Sequence, residues 1–137
     1  MKVLAVDYGT KRLGLAWADT TLGVVLPYGV IGLRGEKSGA SVVERQAEAV
    51  AAVVSKDQIH MAVIGFQAST NGQENRMTSL VKEFAFELGK RTMATIEFFD
   101  ERFTSAYADA VGAAGATRDE KAAMAIAQGY LDSNKLC

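Results

Sequence analysis

A chain of 137 residues, 49% of them hydrophobic, is long enough to bury one core and too short for two ordinary domains, so residues 1–137 are expected to form a single domain. With 15 Lys and Arg against 16 Asp and Glu, the formal charge of −1 speaks against affinity resting on a large basic surface, although a site made of several carboxylates would mask local basic clusters in that total. The single cysteine, Cys137, excludes an intramolecular disulfide and a cysteine-based zinc cluster; no run approaches the roughly 18 to 20 apolar residues of a membrane span, and Met1-Lys2 leads into strand-like sequence without a signal-peptide pattern, so a cytoplasmic protein with no membrane partner is expected.

Val3 to Tyr8 (VLAVDY) is a short apolar, β-rich run closed by Gly9-Thr10, which reads as a buried strand ending in a turn. Arg12 to Ala18 and Gly23 to Gly32 read as second and third strands, and the turn Asp19-Thr20-Thr21-Leu22 between them is too short for anything but antiparallel neighbours. Pro27 has no N–H to give to a ladder, which assigns the third strand to an edge or to a bulge. Beyond a polar loop, Leu33 to Ser41, the residues Val43, Ala47, Val50 and Val54 recur on one face of a helix.

Ile59 to Gly65 resembles a strand buried on both sides, and Phe66 to Asn75 is a polar loop containing the turn pair Asn71-Gly72, expected to lie over a site. Met77, Leu80, Val81, Phe84 and Leu88 trace a second amphipathic helix ending near Gly89, and Thr92 to Asp100 is the fifth strand. Thr104 to Ala114 and Asp119 to Leu131 are helical in composition, with Ala123, Ile126, Ala127 and Tyr130 as the apolar stripe of the last helix. The right-handed crossover rule makes strands one, four and five parallel, giving an α/β fold with a five-stranded mixed sheet, three strands antiparallel plus two parallel, flanked by helices.

Three acidic positions stand out. Asp7 ends a buried strand, where a carboxylate normally survives when paired, hydrogen-bonded or bound to a metal, the bland alternative being a turn cap. Asp100-Glu101-Arg102 ends a strand parallel to the first, and parallel strands bring their C-terminal ends together. Asp119 or Glu120 begins the last helix close to its apolar stripe; periodicity does not choose between them, and either also suits a helix N-terminus. His60 is read as a hydrogen-bonded structural histidine inside a buried strand, and Trp17, Phe98 and Phe99 as core.

From Asp7 to Ala16 the chain reads DYGTKRLGLA, and here it resembles the YqgF/RuvX family of Holliday-junction resolvases and ribosomal RNA maturation nucleases. Gly65 with Asn71-Gly72, the segment Asp100-Glu101-Arg102-Phe103-Thr104, and Asp119 with Ala122-Ala123 and Tyr130-Leu131 follow in the family's order, so the resemblance runs through nearly the whole chain. It implies a ribonuclease H-like fold and a metal-dependent endonuclease whose catalytic and metal-binding residues are Asp7, Glu101 and Asp119, the spacing to Tyr130 selecting Asp119 over Glu120. Mg²⁺ or Mn²⁺ suits such hard oxygen ligands.

The implied substrate is the 5′ end of pre-16S rRNA, with branched DNA as the alternative. Lys11, Arg12, Arg102 and Asn71 are the candidate nucleic-acid contacts, and the near-neutral charge admits a homodimer in which a second copy supplies basic surface. Val111 to Arg118 is shorter and less basic than the family's corresponding segment, and FQAST after Gly65 lacks its usual Pro. Two rival readings are an actin-like or sugar-kinase phosphate-binding protein, which shares Asp-x-Gly-Thr after its first strand but needs a second such domain, and a non-catalytic nucleic-acid-binding scaffold.

Overall fold

A computed structural model describes residues 1–32, 41–66, 76–100 and 116–134. In chain order they form β1 (Lys2–Asp7), β2 (Arg12–Asp19), β3 (Val24–Gly32), α1 (Val42–Lys56), β4 (Met61–Phe66), α2 (Arg76–Gly89), β5 (Thr95–Asp100) and α3 (Arg118–Asn134). The strands make one sheet in the order β3-β2-β1-β4-β5. β1 pairs antiparallel with β2 and β2 with β3, whereas β1 with β4 and β4 with β5 are parallel, as the short turns and the crossovers require.

β3 is an edge strand and also carries a bulge. Leu15 faces Gly29 and Ala16 faces Pro27, so Tyr28 is the extra residue. Its hydroxyl donates a short hydrogen bond to the Asp57 carboxylate at the end of α1, tying the edge strand to the helix.

Two strands are shorter than the sequence predicts. Ile59 belongs to the closure of α1: Gln58 has φ 54°, and the Ile59 N–H donates to the Val54 carbonyl at 2.9 Å. β4 therefore begins at Met61, and His60 is exposed rather than buried, although its Nδ1 accepts the Lys2 N–H at 3.2 Å and so keeps the expected hydrogen bond. β5 begins at Thr95 because the Thr92 hydroxyl captures the Ala94 N–H at 3.1 Å and holds that segment in a turn. The predicted helix over Thr104 to Ala114 and most of the loop from Leu33 lie outside the described residues.

The alternation of the strands divides the core between two faces. Leu4, Val6, Leu13, Leu15, Ala62 and Ile64 point to α1 and α2, where Val43, Ala47, Val50 and Val54 of the predicted stripe meet them together with Val81, Phe84 and Leu88. In α2 the first residue of the predicted stripe, Met77, is exposed. On the other face Val3, Ala5, Ala16, Ala18 and Val63 meet Ala123, Ile126, Ala127 and Tyr130 of α3. α3 lies mainly across β1, β2 and β3. The Tyr130 hydroxyl, 3.0 Å from the Met61 sulfur, has its pKa raised first by burial and then by the charge of Glu97.

Candidate active site

β1 ends at Asp7, half-buried between Gly14 of β2 and Gly65 of β4, neither of which carries a side chain to crowd it. Asp7 continues the alternation of Val3 and Ala5, so it stands on the α3 face. Gly14 decides how near α3 comes. A Cβ at that position would lie 2.0 Å from the Asp119 carbonyl oxygen and 3.0 Å from the Asp119 Cβ, so the first turn of α3 rests directly on the backbone of β2. Directly opposed residues on an antiparallel pair have Cβ positions about 4.5 to 5.5 Å apart, which places the Cβ atoms of Asp7 and Asp119 within about 8.5 Å of each other.

The first turn of α3 also separates Asp119 from Glu120. Thr117 and Glu120 form a capping box: the Glu120 N–H donates to the Thr117 hydroxyl at 3.1 Å, and the Thr117 N–H donates to the Glu120 carboxylate at 2.9 Å. Glu120 is thereby committed to the helix end, and Asp119, one residue earlier, is turned to β2. There its Oδ2 lies 3.2 Å from Nε of Arg12, whose side chain is 69% exposed against 28% for Asp119. Lys11 beside it is exposed as well.

The turn that carries Lys11 and Arg12 is held from inside the protein. Gln46 of α1, fully buried, accepts the Tyr8 hydroxyl at 2.7 Å and donates its amide to the Gly9 carbonyl at 2.8 Å. The Tyr8 ring packs on Phe84 with centroids 5.0 Å apart. Burial, and secondarily the charge of Glu83, push the Tyr8 pKa up to about 12 against the opposing hydrogen bond to Gln46. Gly9 is required sterically, since a Cβ there would come 2.5 Å from the Arg12 carbonyl oxygen.

Of the residues singled out in the sequence, Asp7, Asp119, Arg12 and Lys11 are brought to one corner of the sheet. Glu101, Arg102 and Asn71 lie outside the described residues. Asp100 is described, and it belongs to the other face: it continues Ile96 and Phe98, whereas Phe99 packs towards α3. Among the described residues no group of three or more His, Cys, Asp or Glu side chains stands close enough together to hold a metal ion. Trp17 and Phe99 are half-buried, but Phe98 is 47% exposed rather than core, because α2 leaves a hollow of about 140 Å³ between it, Phe66 and Val81. Gln46 escaped the sequence reading, although a polar residue on the same helix face as Val43 and Val50 was its signal; Glu120 was marked by the spacing Thr-x-x-Glu.

A family model described as RuvX, Holliday junction resolvase, matches residues 1–133. The chain belongs to the RuvX family. A protein of Chlorobaculum tepidum named "putative pre-16S rRNA nuclease" is 32% identical over 144 residues, covering 97% of this chain and 94% of that one. One of the same name from Dictyoglomus thermophilum is 31% identical and covers 99% of each chain. Among solved structures, Thermus thermophilus RuvC in complex with a Holliday junction substrate superimposes with a TM-score of 0.72 over 99% of this chain and 96% of that one, at 14% identity. The RuvX chain thus has the ribonuclease H-like fold expected from its sequence, and among its described residues no helix is long and apolar enough to cross a membrane.

Proposed function

We propose that this RuvX protein is a cytoplasmic endonuclease that hydrolyses phosphodiester bonds with Mg²⁺ or Mn²⁺, that Asp7, Asp119 and Glu101 hold the cation, and that its substrate is the 5′ end of pre-16S rRNA. The observation that supports this reading is the seat of Asp119 on Gly14, which brings its Cβ within about 8.5 Å of that of Asp7 at the end of a buried strand. Two aspartates offer only hard oxygen donors, a set that fits a divalent cation of this kind. When bound, one or two such ions supply Lewis-acid charge for hydrolysis.

The remaining work falls to the chain. Asp7 and Asp119 are positioned by β1 and by the capped first turn of α3. Lys11 and Arg12, with Arg102, hold phosphates of the substrate, and the Gln46 clamp fixes the turn from which the first two project. The substrate assignment rests on the names of the full-length relatives. Cleavage of a four-way DNA junction is the second reading, favoured by the description of the family.

The test is a cleavage assay with Mg²⁺ and Mn²⁺ on an RNA carrying the pre-16S 5′ segment, a four-way DNA junction and duplex controls. Metal-dependent cleavage of the RNA is expected, and Asp7→Asn is expected to abolish it while leaving the thermal melt in chelator unchanged or slightly raised, since one like charge leaves the acidic corner. Cleavage of the junction alone would select the second reading. Binding of either substrate without cleavage would make the protein a scaffold.

A further inference from the structure

The ion pair between Arg12 and Asp119 sets two positive charges in competition for one carboxylate. Asp119 cannot accept the Arg12 guanidinium and hold a divalent cation without bringing those two charges together at close range, where they repel. The rest of Arg12 is fixed: its backbone pairs with Gly32 at the start of β2, and its carbonyl lies against Gly9. Only the side chain has freedom to move, and with 69% exposure it has solvent to move into. An exposed pair of this kind contributes little to stability, so breaking it costs little. Once released, the guanidinium presents a planar fork of donors that matches a phosphate.

We propose that Arg12 is a placeholder for the cation: in the metal-free protein it neutralises Asp119, and loading of the metal releases it to grip a substrate phosphate. Cation and nucleic acid then bind cooperatively, because each favours the same displaced position of one side chain, and the coupling is reciprocal. The inference rests on the reading of Asp7 and Asp119 as metal ligands given above.

The test uses the full chain and needs no catalysis. Mn²⁺ affinity is measured by calorimetry, without nucleic acid, for the wild type, Arg12→Gln, Arg118→Ala and Asp7→Asn. Arg118→Ala removes the same charge one residue from Asp119 and controls for simple electrostatics. Arg12→Gln is expected to tighten Mn²⁺ binding by about three-fold, the worth of an exposed ion pair, and Arg118→Ala by distinctly less. Binding of a labelled single-stranded RNA is then compared with and without Ca²⁺, which replaces Mg²⁺ to suppress cleavage. The gain in RNA affinity on adding Ca²⁺ is expected to shrink by about three-fold in Arg12→Gln and to persist in Arg118→Ala.

Equal effects of the two arginine variants on Mn²⁺ affinity, or an undiminished Ca²⁺ gain in Arg12→Gln, would overturn the placeholder. If Mn²⁺ binds the wild type and Asp7→Asn weakens it while Arg12→Gln does not change it, the placeholder fails and the metal site stands. If the wild type binds no Mn²⁺, both fail.

Discussion

On the side of the sheet covered by α1 and α2, the strands present Leu4, Val6, Leu13, Leu15 and Ile64, and the helices meet them with Val50, Phe84 and Leu88. On the side covered by α3, β1 and β2 present Val3 and the small residues Ala5, Gly14, Ala16 and Ala18, and the helix answers with Ala123 and Ala127 beside Ile126 and Tyr130. The first side accumulates buried volume, with each large side chain worth about 1.5 to 3 kcal/mol of transfer from water. The second gives up volume for closeness at one point, Gly14 against Asp119, across from Asp7. One face of the sheet mainly holds the protein together, and the other mainly holds the candidate site together.

The sharpest way to break this comparison is to damage each side alone. Leu88→Ala empties a fully buried position on the first side. It is expected to lower the stability by about 3 to 5 kcal/mol in a urea melt, with Mn²⁺ affinity at low temperature unchanged. Gly14→Ala overfills the second side, since its Cβ has no room beneath the Asp119 carbonyl. Its expected stability cost is smaller, about 1 to 3 kcal/mol, whereas metal-dependent cleavage should fall by about 100-fold as α3 shifts. If Gly14→Ala lost stability and activity in proportion, the two faces would not be specialised.

Tyr8→Phe is the finest of these probes, because it reaches from the first side towards the site. It leaves a buried Gln46 acceptor unsatisfied and should cost about 1 kcal/mol at neutral pH. Its pH dependence carries a sign. The folded protein keeps the Tyr8 proton up to about 12, while the unfolded chain releases it near the ordinary tyrosine value of 10.0, so stability from this group is intact below 10.0 and is lost as pH rises towards 12. Tyr28 and Tyr130 are shifted in the same direction, so a melt series in Tyr8→Phe should show a shallower alkaline decline and not a flat one.

What could be read from the sequence was what neighbours along the chain determine. Pro27 assigned β3 to an edge or a bulge, and both are present. The apolar run of β1 and the stripe of α1 identified residues that are buried, and the ordered motifs led to the family. The ends of β4 and β5 were misplaced because Ile59 and Thr92 are engaged by backbone and side-chain bonds at helix and turn ends, which apolar character does not report. Within the site, the placement of Asp7 at a strand end followed from local pattern. That Asp119 meets β2 at Gly14 depends on a contact between positions 105 residues apart, and Gln46 reaches Gly9 across 37, so neither was available to a reading by periodicity. Glu120 differs from both, since its suitability for a helix N-terminus is a local signal and the capping box with Thr117 agrees with it.

The bulged edge strand has a consequence for how copies of this protein meet in solution. β3 exposes Val24, Leu26 and Val30 along a sheet margin, the kind of apolar border that invites strand addition and aggregation. Pro27 removes one donor from that border, and the register break at Tyr28 spoils the even spacing that a second strand would need to zip onto it. A continuous sheet joined through β3 is therefore disfavoured, which lets the margin remain apolar without becoming adhesive and leaves any two-fold assembly to be built on another surface.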